Sequence, residues 1–249
     1  MIPVVIPTYR AGERLQRTID SVRAQNIATD IFIRDNSEDN IYYTAAVNEG
    51  LRKFCYSSFD YVLVLSDDVI LHDGCIDALV SAMKEDEHCG IVAPLQFDGG
   101  GKPTWTGSLG SWPQGIHGLE DTRGRKPYNT FWSSGACFLL RTKCVRDCGL
   151  LDPNLRFICS DSDYSFTIRA RGWNVTVAPD AVVTHSFNGS ADLENEELMR
   201  VKIEDVVYFT SKWITGDLFR SLEFGGLNIS HDRAANLIKD FALYLKEKR

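Results

Sequence analysis

The chain has 249 residues, 44% of them hydrophobic and 24% charged, with a formal net charge of −7. That balance fits a folded α/β domain with or without a small appendage and excludes a disordered chain. The negative charge argues against a general nucleic-acid binder, whose affinity rests on clustered Lys and Arg, and seven cysteines without a C-x-x-C pair suggest neither a disulfide framework nor a structural zinc site.

Met1 leads straight into Ile2-Pro3-Val4-Val5-Ile6, a short apolar strand closed by Pro7, without the charged start and cleavage site of a signal peptide. No apolar run reaches the roughly 20 residues needed to span a bilayer. A cytoplasmic protein with no transmembrane segment is expected, approaching its substrate from the aqueous phase. Pro7-Thr8-Tyr9-Arg10 is a loop, and Leu15, Ile19 and Val22 repeat at helical spacing. Asp30 to Asp35 gives a second strand, followed by the polar turn Asn36 to Asn40; Val47, Leu51 and Phe54 mark a second helix. The run Tyr61 to Leu71, YVLVLSDDVIL, reads as a buried strand that ends in two adjacent carboxylates, Asp67 and Asp68. In a parallel sheet, ligands sit beyond the carboxyl ends of the strands. Two neighbouring carboxylates repel unless a cation or hydrogen-bond donors compensate, so the pair reads either as a cation site or as an acidic turn.

Ile76, Leu79, Val80 and Met83 then mark a helix, and Gly90 to Pro94 a strand. The stretch from Asp98 to Asn129 is rich in glycine, carries Trp105, Trp112 and His117, and is too long for an ordinary connection, which suggests a functional or mobile loop. Its tryptophans suit two roles, stacking on a ligand or pinning the loop to the core. Trp132 to Ala136 is a patch of small residues that permits close backbone approach, ahead of the apolar Cys137 to Leu140; Thr142 is placed to cap a short helix that Gly149 ends. Asp161 and Asp163 fall in the first turn of the next helix, where the dipole favours their ionised forms; they serve either as functional carboxylates or as caps. Gly172 closes that helix at its C′ position, Asn174 to Ala178 is a strand, and Ala181 to Thr184 runs apolar into His185. Two amphipathic helices follow. The first is capped by Asp192, with Ile203, Val206, Val207, Thr210 and Ile214 as its packed stripe; the second follows Asp232. They pack on the main domain or on a second subunit.

Taken in order, VVIPTYR, RDNSEDN, SDD, SSGACFLLR, GLLDPNLRFICSDSDYSFTIRARGW and VAPDAVVTH resemble the inverting family 2 glycosyltransferases of the GT-A fold, over Ile2 to about His185. The resemblance implies a Rossmann-like, mostly parallel central sheet flanked by helices, with a C-terminal helical extension. It divides the chain into a domain at 1–190, with a nucleotide-sugar half at 1–97 and an acceptor half at 98–190, and an extension at 191–249. It puts Pro7, Thr8, Tyr9 and Asp35 around the base and ribose of a nucleoside-diphosphate sugar, and Ser66 and Asp67 near the ribose or donor sugar. Asp68 and His185 match the metal site for Mn²⁺ or Mg²⁺. Asp161 matches the general base, and Asp163 a supporting or acceptor-binding carboxylate. The acceptor is expected to be a hydroxyl of a glycan or other large molecule. Ser66, Ser160 and Thr167 depart from the residues usual in such proteins, and Glu204-Asp205 stands where Arg-Asn is common, so diphosphate clamping by Arg200 or Lys202 is the weakest of these expectations. Two other readings are a nucleotide-sugar-binding protein without turnover and a sugar nucleotidylyltransferase, although the glycine-rich loop with a basic residue that the latter needs after its first strand is replaced by Pro7-Thr8-Tyr9.

Overall fold

A computed structural model describes residues 1–109, 116–185 and 196–214. Trp112, the Asp192 cap and the helix expected after Asp232 lie outside the described residues.

The opening strand Ile2–Thr8 (β1) is buried throughout. It runs on past Pro7, because its pairing with Tyr61–Leu65 (β3) covers only Val4 and Val5, and the proline lies where one side of the strand has no ladder to supply. On its other side β1 pairs in parallel with Thr29–Asp35 (β2). Helices Glu13–Arg23 (α1) and Tyr42–Cys55 (α2) make the crossovers, burying Leu15, Ile19 and Val22 from one and Val47, Leu51 and Phe54 from the other. These are the positions the helical spacing predicts. The turn after β3 leads into the short strand Val69–Leu71 (β4), then helix Cys75–Glu85 (α3) and the fully buried strand Cys89–Phe97 (β5).

The glycine-rich stretch is more regular than its composition suggests. Pro103–Trp105 (β6) pairs back on β5, Ser108–Leu109 (β7) pairs with Ile116–His117 (β8), and Tyr128–Asn129 (β9) joins the main sheet. Trp105 is fully buried against Trp132, ring centroids 6.2 Å apart. It pins the stretch to the core, as one of its two readings required. Cys137–Arg141 (β10) precedes helix Thr142–Cys148 (α4), whose N-cap is Arg141 rather than Thr142; the Thr142 hydroxyl donates instead to the carbonyls of Phe59 and Asp60. Helix Ser160–Arg169 (α5) follows, then Asn174–His185 (β11), one strand with a register shift between Ala178 and Val182 where two were expected.

The sheet order is β2-β1-β3-β10-β5-β11-β4. Strands β2, β1, β3, β5 and β11 run one way, while β10 and β4 run antiparallel to their neighbours. The last described helix, Glu196–Ile214 (α6), buries Leu198, Val201, Val206, Phe209 and Trp213. Its packed stripe is therefore rotated from the expected one, and Val207 is exposed. Phe209 and Trp213 pack on Phe166 of α5, and that aromatic contact sets the face. No described helix is long and apolar enough to cross a membrane.

Helix α2 lies so close to β1 that a Cβ on Gly50 would stand 2.5 Å from Val5 Cγ2. Gly50→Ala is expected to lower stability by about 1–3 kcal/mol, the usual range for overpacking, despite alanine's better helix propensity. Urea unfolding of the two proteins measures this.

Candidate active site

The carboxyl ends of β1, β3 and β11 open into a cavity of about 640 Å³. Strand register assembles its floor. Val69 pairs with His185, which brings Asp68 beside the imidazole; Nε2 of His185 lies 3.4 Å from Asp68 Oδ1, both side chains mostly buried. Leu65 pairs with Cys137, so Ser66 meets the small-residue patch and its N–H donates to Ala136 O at 2.8 Å. Asp67 is compensated within the protein: its Oδ2 accepts from the Thr8 hydroxyl at 2.5 Å and from Arg14 Nη2 at 2.9 Å. One oxygen takes both donors.

Asp161 forms the opposing wall. Its Oδ1 accepts from Ser162 N–H and its Oδ2 from Gly135 N–H, each at 2.7 Å. A Cβ on Gly135 would sit 3.1 Å from that same Oδ2, so the glycine is what permits the contact. Burial nonetheless pushes the Asp161 carboxyl above its ordinary value, against the N–H donors of Ser162 and Gly135. Desolvation at both α5 carboxylates thus works against the helix dipole, whose effect is at most about 2 kcal/mol, and raises their pKa values. Arg10, Tyr42 and Cys159 have left-handed backbone, with φ of 65°, 62° and 63°, and all three line the cavity. Among the described residues no other non-glycine residue has positive φ. Each such conformation costs about 1–2 kcal/mol, so backbone strain gathers at this site.

Asp163 stands elsewhere. It is 1% exposed, does not reach the cavity wall, and accepts from Trp213 Nε1 at 2.7 Å and from Lys212 Nζ at 2.9 Å. Lys212 also pairs with Asp152 at 2.9 Å. The acceptor-binding role is thus corrected to one of holding α6 on α5, since no face of this carboxylate is open to a ligand. Burial raises its pKa, partly offset by Lys212. Asp205, also fully buried, accepts from three successive backbone N–H groups, those of Arg156, Phe157 and Ile158, at 3.0, 2.7 and 2.9 Å. Phe157, Ile158 and Cys159 are cavity wall.

Of the sequence-predicted residues, Pro7, Thr8, Tyr9, Ser66, Asp67, Asp68, Asp161 and His185 come together on this wall. Asp35 does not. It is exposed at the end of β2, and the Ser37 hydroxyl and N–H hold its carboxyl below the usual range, while its neighbour Asn36 faces the cavity. Arg200 is exposed beside Glu204 and Lys202 stacks on Phe157, so neither lines the cavity. Arg14, Tyr43 and Glu197 line it and were not singled out by the sequence; each sits on a helix whose periodicity shows only its apolar face. A second hollow, of about 790 Å³, lies at the opposite strand ends, but its Arg141, Arg146 and Arg171 donate to backbone carbonyls.

Comparison with known proteins bears on the same region. The family model "Glycosyltransferase like family 2" matches residues 43–201. The N-acetylglucosaminyl-diphospho-decaprenol L-rhamnosyltransferase of Mycobacterium tuberculosis is 24% identical over 232 residues, covering 74% of this chain and 76% of its own. Among solved structures, GalNAc-T7 with UDP, GalNAc and Mn²⁺ superposes with a TM-score of 0.64 at 15% identity, over 99% of this chain; the chain spans 56% of that protein. A 1–349 fragment of S. aureus TarS gives 0.59 at 10% identity, over 96% of this chain and 70% of the fragment. The expected GT-A architecture is the one observed.

Lys212→Met should destabilise the protein by about 3 kcal/mol at neutral pH, because it leaves the buried Asp163 charge with a single donor. A carboxyl with a raised folded-state pKa is neutral below that pKa. The deficit relative to wild type should therefore shrink as pH falls through the raised value, as denaturation at several pH values would reveal.

Proposed function

This chain belongs to glycosyltransferase-like family 2, and from that premise we propose that it moves a sugar from a nucleoside-diphosphate sugar to an acceptor hydroxyl, with a divalent cation and with inversion at the anomeric carbon. The observation that carries the reading is the convergence on one cavity of the Asp68–His185 pair and the Asp161 carboxylate. On this reading residues 1–97 bind the donor and 98–190 shape the acceptor side. Pro7, Thr8 and Tyr9 face the nucleotide, with Asp35 at the rim. Asp67, its Oδ2 already occupied by Thr8 and Arg14, offers Oδ1 to a ribose or sugar hydroxyl beside Ser66.

Asp68 and His185 fit a Mn²⁺ or Mg²⁺ ion: they offer a hard oxygen and an imidazole nitrogen, half-enclosed and adjacent. Among the described residues no cluster of three or more such ligands exists. When bound, the cation neutralises charge on the departing diphosphate. Asp161 receives the acceptor hydroxyl's proton as that oxygen bonds to the anomeric carbon and the bond to the diphosphate breaks on the other face. An alcohol is far less acidic than a carboxylic acid, so the proton moves late and positioning matters at least as much as basicity. The pKa raised by burial makes Asp161 a stronger base than an exposed aspartate. The aromatic wall of Tyr42, Tyr43, Trp132 and Phe157 suits the apolar face of a sugar, which supports a glycan acceptor. The name of the rhamnosyltransferase relative points to a diphosphate-linked acceptor, which is a further acceptor candidate here. A second subunit on the C-terminal helices would be compatible with this scheme.

A thermal-shift panel of UDP-, dTDP- and GDP-sugars with Mn²⁺ should identify the donor, since a ligand of the native state raises the melting temperature. Calorimetric titration of that donor is expected to lose affinity in EDTA and in Asp68→Ala; equal affinity with and without chelator removes the metal from the scheme.

Asp161→Asn should leave donor binding within a few-fold while transfer falls about 10²- to 10⁴-fold. The wild-type rate should decline with acidification along a limb above the ordinary carboxylate range, because the base must be unprotonated and its pKa is raised. Wild-type transfer by the Asn variant would end the assignment.

A further inference from the structure

Two N–H donors fix the Asp161 carboxylate, and they have different origins. Ser162 belongs to the same helix and accompanies Asp161 wherever α5 goes. Gly135 lies in the turn ahead of β10; its neighbour Ala136 is held by Ser66 N–H, and Gly135 itself is held from a different element. Tyr43 does this from across the cavity: its hydroxyl donates to Gly135 O at 2.6 Å, while Gly135 N–H reaches Asp161 Oδ2 at 2.7 Å. The hydroxyl is well placed to remain a donor, since burial, and after it the nearby Asp161, pushes the phenol well above its ordinary range. Its helix is anchored to the same loop system, because Thr44 N–H donates to Arg156 O at 3.0 Å. Tyr42, immediately before it, adopts the left-handed backbone that starts α2 at this spot, with its N–H on Asn40 Oδ1 at 3.0 Å.

We propose that Tyr43 is a positioning residue for the reaction: through the backbone of Gly135 it fixes where the Asp161 carboxylate stands. A tyrosine is suited to this because its ring fills the wall while its rigid para-hydroxyl reaches one carbonyl. Phenylalanine keeps the ring and removes the reach. The inference rests on Asp161 as proton acceptor, and it adds a second group, on another element, to the machinery that sets its geometry. The other charged or titratable groups lining the cavity are Tyr9, Arg10, Arg14, Tyr42, Asp67, Asp68, His117, Cys159, His185 and Glu197; Tyr43→Phe alters none of them.

The test reads Asp161 directly. Carboxyl-¹³C-labelled aspartate is followed by NMR through a pH titration, with the Asp161 signal assigned by its loss in Asp161→Asn. In Tyr43→Phe the loosened Gly135 N–H stabilises the charged form less, so the Asp161 midpoint should move to higher pH. Transfer should fall about 3- to 10-fold, the effect of one neutral hydrogen bond, with donor Kd unchanged. Gly135→Ala, whose Cβ would press on the same oxygen, should also raise the midpoint. Should Tyr43→Phe fold poorly, the alanine variant carries the test. A midpoint that stays at its wild-type position in folded Tyr43→Phe overturns the inference, whatever Gly135→Ala does and even if the variant melts at lower temperature, since a merely structural role would lower stability without moving one carboxyl. A raised midpoint combined with wild-type transfer by Asp161→Asn would overturn Asp161 as the base and leave the effect of Tyr43 on the carboxylate standing.

Discussion

The wall of the cavity that carries Asp161 depends on carboxylates that never touch it. Asp205, buried in α6, takes the N–H groups of Arg156, Phe157 and Ile158, three donors that would otherwise point into a protein interior with no partner. An unpaired buried N–H costs about 1–3 kcal/mol. Held by one carboxylate, the loop can turn through the left-handed Cys159 and deliver Ser160 and Asp161 into a helix. Charge-assisted hydrogen bonds from successive backbone N–H groups are among the stronger interactions available without a ligand. Asp163 and Lys212 complete the arrangement by tying the far end of α6 to α5.

The floor of the cavity is built on another principle. There the sheet itself does the positioning: parallel strands β1 and β3 end together, the turn after β3 presents two carboxylates, and the antiparallel β4 returns against β11 so that Asp68 meets His185. Charge is managed residue by residue. Asp67 has Arg14 and Thr8, whereas among the described residues Asp68 meets the imidazole of His185, so the two adjacent carboxylates are compensated differently. One wall is set by strand register and the other by hydrogen bonds to loops, and the left-handed residues Arg10, Tyr42 and Cys159 lie where the two meet.

Helix α6 illustrates how a region with little resemblance to a family can still be part of its site. Tyr42 donates to Glu197 at 3.2 Å, and Leu198 closes the cavity beside it. The Arg-Asn usual at this level is replaced by Glu204-Asp205, and the change is informative. Asp205 serves the loop, and Glu204 pairs with Arg156 on the surface. A helix that reads as an appendage in sequence supplies the groups that hold the segment leading to Asp161.

Much of this was legible in the sequence, for definite reasons. Helices α1, α2 and α3 follow from apolar spacing because one face of each packs on a sheet. The acidic tip of the Tyr61 run and the small residues around Gly135 announce themselves because their chemistry is out of place in a core or a helix. In register, the motifs carry the family and the fold. What no local pattern contains is pairing across the molecule: that β1 continues through Pro7, that Asp163 faces Lys212 and not the cavity, that the packed stripe of α6 turns toward Phe166, and that burial outweighs the helix dipole at Asp161. The link from Tyr43 through Gly135 to Asp161 spans residues 92 and 26 positions apart. Periodicity is a property of one segment and its distance from water, whereas a carboxylate's partner and its protonation depend on which segments the sheet brings together. The sequence therefore determined the elements and the kind of chemistry, and only the tertiary structure decided which carboxylate faces the cavity.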